Sequence, residues 1–236
     1  MRNTLAIAGR EFRSFYGSPW AYLVTAIFLI ISGYGFGWNT ITFMESTIQG
    51  FLSWGSFFLL FLGPAMTMRL FAEEEKLGTM ELLMTAPVRD IEVVLGKYLA
   101  SLGMFLIMLA LTLYYPLLLT WYGEPDWGPI FSGYLGIFLL GAVFLSIGLF
   151  ASSVSSNQIL AYVVGSAIVL TFWFIGNAAR VIGETAGKVL NFISISNYFP
   201  AFGRGIIDTN AIIYYLSITA VFIFLTVRSI ETRRWR

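Results

Sequence analysis

WGPIFSGYLGIFLLGAVFLSIGLFASSVSSNQILAYVVGSAIVLTFWFIGNAA, Trp127 to Ala179, runs for 53 residues without an Asp, Glu, Lys or Arg. Its one interruption is the small polar patch from Ala151 to Gln158. A water-soluble domain cannot hide that much uncharged, largely apolar chain in one piece. Two membrane-crossing helices joined by a tight polar turn can. They occupy Phe131–Ala151 and Ile159–Ala179, and four further stretches outside the run have the same character: Trp20–Trp38, Phe51–Met68, Tyr98–Leu119 and Ala211–Val227. At about 1.5 Å per residue each covers roughly 25–33 Å, which suits a hydrocarbon core with modest tilt. The expected fold is a single all-α polytopic membrane domain over residues 1–236, with six transmembrane helices at about 20–38, 51–68, 98–119, 131–151, 159–179 and 211–227.

Composition agrees and narrows the function. Charged residues make up 11% and hydrophobic residues 58%, with mean hydropathy +0.79, where soluble domains carry about a quarter charged residues. The chain has no Cys and no His. That excludes a disulfide framework, a thiolate or imidazole metal site, and Ser-His or Cys-His nucleophiles, so no catalytic residue, metal or bound cofactor is expected. A net charge of +1 offers no surface for nucleic acid. No acid or base falls at mid-depth in a span, which argues against an ion-coupled carrier and against a charge-lined pore. Energy must then come from outside the membrane, yet no GxxxxGK[ST] run is present to bind nucleotide.

The basic residues choose the orientation. Eleven of the 14 lie before the first span, between the second and third, or after the sixth; only Arg180, Lys188 and Arg204 lie on the other side. The positive-inside bias places both termini and the loop 69–97 in the cytoplasm, and an even span count is required by that answer. Residues 1–17, with Leu5, Ile7, Phe12, Phe15 and Tyr16 as apolar positions and Arg2, Arg10, Glu11 and Arg13 between them, read as an amphipathic interfacial helix. Gly17-Ser-Pro19 then turns the chain into the first span.

Loop 69–97 is the longest densely charged portion, and it holds six acids: Glu73, Glu74, Glu75, Glu81, Asp90 and Glu92. Glu73 to Lys76 sets up one helical turn, and Gly78-Thr79 breaks it. Thr79 can cap a second helix over Met80 to Thr85, with Glu81 in its favourable first turn. Pro87 stops that helix, and Asp90 can cap the next. Short helices presented at the cytoplasmic face are what a membrane domain needs if a soluble partner is to push on it. On the other side, Leu190 to Gly203 is apolar but only 14 residues long. That length suits a re-entrant or interfacial helix rather than a span. Ser194 and Asn197 lie three apart and can share a face, Pro200 punctuates the segment, and Arg204 reaches Asp208 if the turn between them is helical.

The stretch Pro64-Ala-Met-Thr-Met-Arg-Leu-Phe-Ala-Glu-Glu-Glu-Lys-Leu-Gly-Thr-Met-Glu-Leu-Leu-Met-Thr-Ala-Pro87 resembles the loop after the second span in ABC-2 type transporter permeases. Leu95-Gly-Lys-Tyr98, Gly148-Leu-Phe-Ala-Ser-Ser153 and Arg204-Gly-Ile-Ile-Asp-Thr-Asn210 fit the same family. With Glu11-Phe-Arg-Ser-Phe-Tyr-Gly-Ser-Pro19 they look most like the GldF-type permeases of gliding motility-associated ABC systems. The resemblance implies a non-enzymatic permease subunit in a bacterial cytoplasmic (inner) membrane. A separate cytoplasmic ABC ATPase dimer, which binds ATP and Mg, would dock on a coupling helix within residues 73–87, bordered by the interfacial N-terminal helix. It further implies a second membrane subunit, either another copy or an auxiliary protein with a large extracytoplasmic domain, and re-entrant helices between spans five and six. Hydrolysis in the partner would drive export or mechanical work. The alternative is a membrane anchor or scaffold of an ATP-driven complex that transports nothing.

Overall fold

Short polar side chains and prolines set where the helices begin. In the computed structural model, which describes residues 2–43, 47–79, 88–178 and 184–234, Ser18 Oγ accepts from the Trp20 amide at 3.3 Å and Pro19 opens the first span. Asp126, Asn157 and Asp208 each accept from the amide two residues on, at 3.0, 2.8 and 2.9 Å, and start the fourth, fifth and sixth spans. The third begins one residue earlier than a cap at Asp90 implies. Arg89 is the cap, and the Glu92 carboxylate reaches back to its amide at 3.2 Å.

Among the described residues, six helices are long and apolar enough to cross a membrane: Pro19–Thr42, Gln49–Lys76, Asp90–Trp121, Trp127–Val154, Gln158–Ala178 and Thr209–Thr232. The second and third extend well beyond their apolar stretches at one end, to Lys76 and from Asp90. Both are also broken. The second is interrupted at Met68, between helices Gln49–Thr67 and Arg69–Lys76, four residues after Pro64. The third is interrupted at Leu113, between Asp90–Thr112 and Tyr114–Tyr122. Pro116 has no amide to give the Thr112 carbonyl, and the Tyr134 hydroxyl of the fourth span donates to it instead at 2.8 Å.

The fourth span is the hub. Of its most apolar 18-residue window 83% is buried, against 28% for the first and fifth and 22% for the sixth. Small residues let its neighbours close in. A Cβ on Gly141 would lie 2.1 Å from the Phe105 ring, and one on Gly136 would lie 2.6 Å from Phe202. The outer faces of the first, fifth and sixth spans carry exposed Ile30, Ile41, Ile159, Val163, Ile213 and Phe224, as lipid contact requires.

Cross-links gather both termini at one end. Arg69 donates to Ser18 Oγ at 3.4 Å, Asn3 to Glu92 at 3.3 Å, and Ser229 to the Ser153 carbonyl at 3.3 Å. The helix Arg2–Gly17 lies against the third span there. Gly96 admits Ile7, which a Cβ would approach to 2.7 Å, and Gly103 admits Phe12. The apolar side of this helix is therefore divided. Ile7 and Phe12 pack on protein, while Leu5 stays 67% exposed.

Candidate functional site

The stem Arg69–Lys76 projects from the second span and ends at a residue built to end it. Gly78 has φ 71°, a left-handed conformation that suits glycine. Its amide bonds the Glu75 carbonyl at 3.1 Å and the Thr79 amide bonds Glu74 at 3.0 Å, the paired closure of a Schellman turn. Thr79 also turns its hydroxyl back to the Glu74 carbonyl at 3.3 Å. Whether Thr79 starts a further helix, and where Glu81 and Pro87 sit, lies outside the described residues.

The three acids of the stem are not a uniform solvated run. Glu73 takes two bonds from Arg69, at 3.0 and 3.1 Å, one helical turn back. Glu74 turns inward to Lys97, whose ammonium lies 2.8 Å from it and 3.2 Å from Glu11. Only 1% of the Lys97 side chain is exposed, against 14% for Glu11 and 20% for Glu74. The ammonium also stands 5.2 Å from the centre of the Phe71 ring. Lys97 thus does not snorkel to water from the end of the third span. It joins three elements: the N-terminal helix through Glu11, the stem through Glu74 and the third span by its own backbone. Arg10, exposed, bonds Glu11 at 2.9 Å and stands 3.9 Å from Glu74.

A cleft of about 570 Å³ opens between the N-terminal helix and the stem, and Arg10, Glu11, Ser14, Trp20, Arg69 and Thr79 are among its walls. Phe12 faces the third span rather than the cleft, and Arg13 is exposed. Burial raises the Tyr16 phenol above its ordinary value, with Tyr22 adding to the effect, so the hydroxyl on this helix stays neutral.

At the opposite end the chain between the fifth and sixth spans forms helix Glu184–Ile193, a 3-10 turn Ile195–Asn197 and helix Phe199–Gly203. Its bent backbone is satisfied by hydroxyls. Tyr214 donates to the Ile193 carbonyl, Tyr215 to Ile195 at 3.2 Å, and Ser132 to Phe202 at 2.6 Å. Ser194 is buried, and with Asn197 it faces Gly176, where a Cβ would lie 2.7 Å from Ser194 Oγ and 3.2 Å from Asn197 Nδ2. Pro200 occupies the opening turn of a helix, where a missing amide donor costs nothing. Arg204 and Asp208 are not brought together. Gly205, at φ 86°, ends the helical path, and Asp208 caps the sixth span instead. Burial, with Asp208 nearby, raises the Tyr198 phenol.

Residues 39–233 match the profile described as ABC-2 family transporter protein. The chain belongs to that family. The match takes in the stem, Lys97, the fourth span and the short helices before the sixth. It leaves out the N-terminal helix and most of the first span, so Glu11 lies beyond it. No curated protein matches the chain. As an ABC-2 family member with six apolar helices, it is a multi-pass membrane protein of the permease class, a class that works with an ABC ATPase. Neither Lys97, which at a span end reads as a cation within reach of water, nor Ser152 stands out as a site residue in the sequence. Both fall in stretches, Leu95–Tyr98 and Gly148–Ser153, where a small residue precedes a polar one on an apolar helix.

Proposed function

We propose that this ABC-2 permease couples ATP hydrolysis in a separate cytoplasmic ATPase dimer, which holds the ATP and Mg, to export or mechanical work across a bacterial inner membrane. The observation that carries the reading is the Lys97 junction. A buried ammonium bound to Glu11 and Glu74 ties the N-terminal helix, the stem and the third span into one unit. A soluble partner pressing on that unit would act directly on the spans. The docking surface is the stem from Glu73 through Gly78 and Thr79 and on to Glu81 and Pro87, with Arg10 and Arg13 of the N-terminal helix at its border. The eleven basic residues at this end support placing it, and both termini, in the cytoplasm. The N-terminal helix then lies along the inner interface. The segment Leu190–Gly203 enters the outer leaflet and returns, its carbonyls held by the tyrosine and serine hydroxyls rather than by water.

Within the family, the stretches Glu11–Pro19, Pro64–Pro87 and Arg204–Asn210 support a GldF-type permease. A second membrane subunit, another copy or an auxiliary protein with a large extracytoplasmic domain, completes the assembly. Co-purification with the ATPase tests the docking surface. Glu81→Lys reverses one acidic charge of the proposed docking surface and is expected to abolish ATPase retention and whole-complex activity. Lys188→Glu, at the other end, should leave both intact. Wild-type retention and activity in Glu81→Lys would contradict the assignment. Substrate-stimulated hydrolysis favours transport, and its absence in an active complex favours the anchor or scaffold alternative.

A further inference from the structure

Ser152 lies on the fourth span, fully buried, and its hydroxyl is used to capacity outside its own helix. It donates to the Met68 carbonyl at 2.9 Å and accepts from the Phe71 and Ala72 amides at 3.0 and 3.1 Å. Thr67 and Met68 are the residues whose carbonyls those amides face in a continuous helix, so one side chain of the fourth span bonds three backbone groups where the helix of the second is interrupted. Its neighbours behave differently: Ser146 and Ser153 turn their hydroxyls back on the Val143 and Phe150 carbonyls of their own helix, at 2.7 and 2.8 Å.

The insertion is held close by packing on the same face. Phe144, Gly148 and Ser152 succeed one another at four-residue spacing along the second span. A Cβ on Gly148 would lie 2.1 Å from Thr67 Oγ1 and 2.8 Å from Pro64 Cα, and a Cβ on Gly63 would lie 2.7 Å from Phe144. The two backbones have no room to slide where the serine enters.

We propose that Ser152 is a positioning residue of the junction. Its hydroxyl fixes the angle and register at which the stem leaves the second span, so that a displacement of the stem is carried into the fourth span instead of being absorbed at the Met68 break. The consequence for coupling rests on the docking reading above; the geometry does not, and it is tested on the chain alone.

The full-length protein in lipid nanodiscs serves for both measurements. In the wild type, the Phe71 and Ala72 amides are expected to resist hydrogen exchange like those of the fourth span, while Lys76 and Leu77 exchange faster. Spin labels on Leu77→Cys and Val154→Cys, both exposed positions in a chain without native cysteines, should report one narrow distance. Ser152→Ala should speed exchange at Phe71 and Ala72 by about tenfold or more and broaden the distance, with fourth-span amides unchanged. Ser153→Ala should alter neither, and Ser152→Cys, of similar shape but a weaker donor, should fall between. Unchanged exchange and distance in Ser152→Ala would overturn the proposal. So would wild-type Phe71 and Ala72 amides that exchange as fast as Leu77, a measurement that decides the matter even if Ser152→Ala does not fold. Failure of the docking reading shows instead as a wild-type chain that retains no ATPase, with these readouts unaffected.

Discussion

An ammonium withdrawn from water survives only if carboxylates and a ring face replace the solvent, and Lys97 has both. Such a cluster adds little net stability when whole but is costly to break. Lys97→Met is therefore expected to destabilise the protein, by less than the roughly 3–5 kcal/mol of a wholly uncompensated buried charge, because Glu11 and Glu74 then keep only the exposed Arg10. The check is thermal unfolding in detergent. Adding Glu11→Gln and Glu74→Gln to Lys97→Met should recover most of the loss. If the single variant unfolds like wild type, the junction is not the strut described here. A second residue-scale case is Gly148, where no side chain fits. Gly148→Ala should cost about 1–3 kcal/mol by overpacking. Thr67→Ala, which removes the nearest atom, should relieve only part, since Pro64 Cα remains in the way.

At the scale of elements, a hydroxyl from the fourth span meets backbone groups at both broken spans, Ser152 at the second and Tyr134 at the third, and at the third the group it meets is the one a proline frees. For the third span the pairing is Pro116 with Tyr134. Tyr134→Phe leaves the Thr112 carbonyl without that donor in a site water does not reach, an expected loss of about 1–3 kcal/mol. Pro116→Ala supplies the missing amide, so in that background Tyr134→Phe should be nearly silent. A double-mutant cycle on the two positions measures the coupling, and additivity would show that the tyrosine is not replacing the lost amide. The stem obeys the same logic at its far end, where Gly78 lets the helix close its last carbonyls.

For the whole molecule, the links from Ser18, Arg69, Lys97, Ser153 and Ser229 put both termini and the stem at one end. The proposed orientation puts that end in the cytoplasm, on the strength of its basic residues. Cysteine accessibility in intact cells tests this directly, because the chain has none of its own. Thr79→Cys is expected to label only after the membrane is opened, and Lys188→Cys from outside. The reverse pattern would invert the topology and remove the docking surface from any cytoplasmic ATPase.

The spans and the first turn of the acidic loop could be read from residue order, because each depends on properties that add along a chain: apolar length and the punctuation of Pro, Gly and capping residues. The break at Gly78 belongs to that class, since a positive φ is a local demand on backbone sterics. What the spans do with one another does not. The sequence placed Lys97 at a helix end where it would ordinarily reach water; only the arrival of Glu11 from one side and Glu74 from the other turned it into a buried strut. It also allowed Arg204 and Asp208 to meet on a helical turn, but the chain leaves the helix at Gly205 and Asp208 is drawn to the start of the sixth span. Ser152 reads as a small polar residue near a helix end until the second span breaks beside it. Apolar length decides that a helix enters the membrane. Which hydroxyl or charge closes which gap depends on contacts 20 to 90 residues apart in sequence, and only the packed structure brings those groups within hydrogen-bond reach.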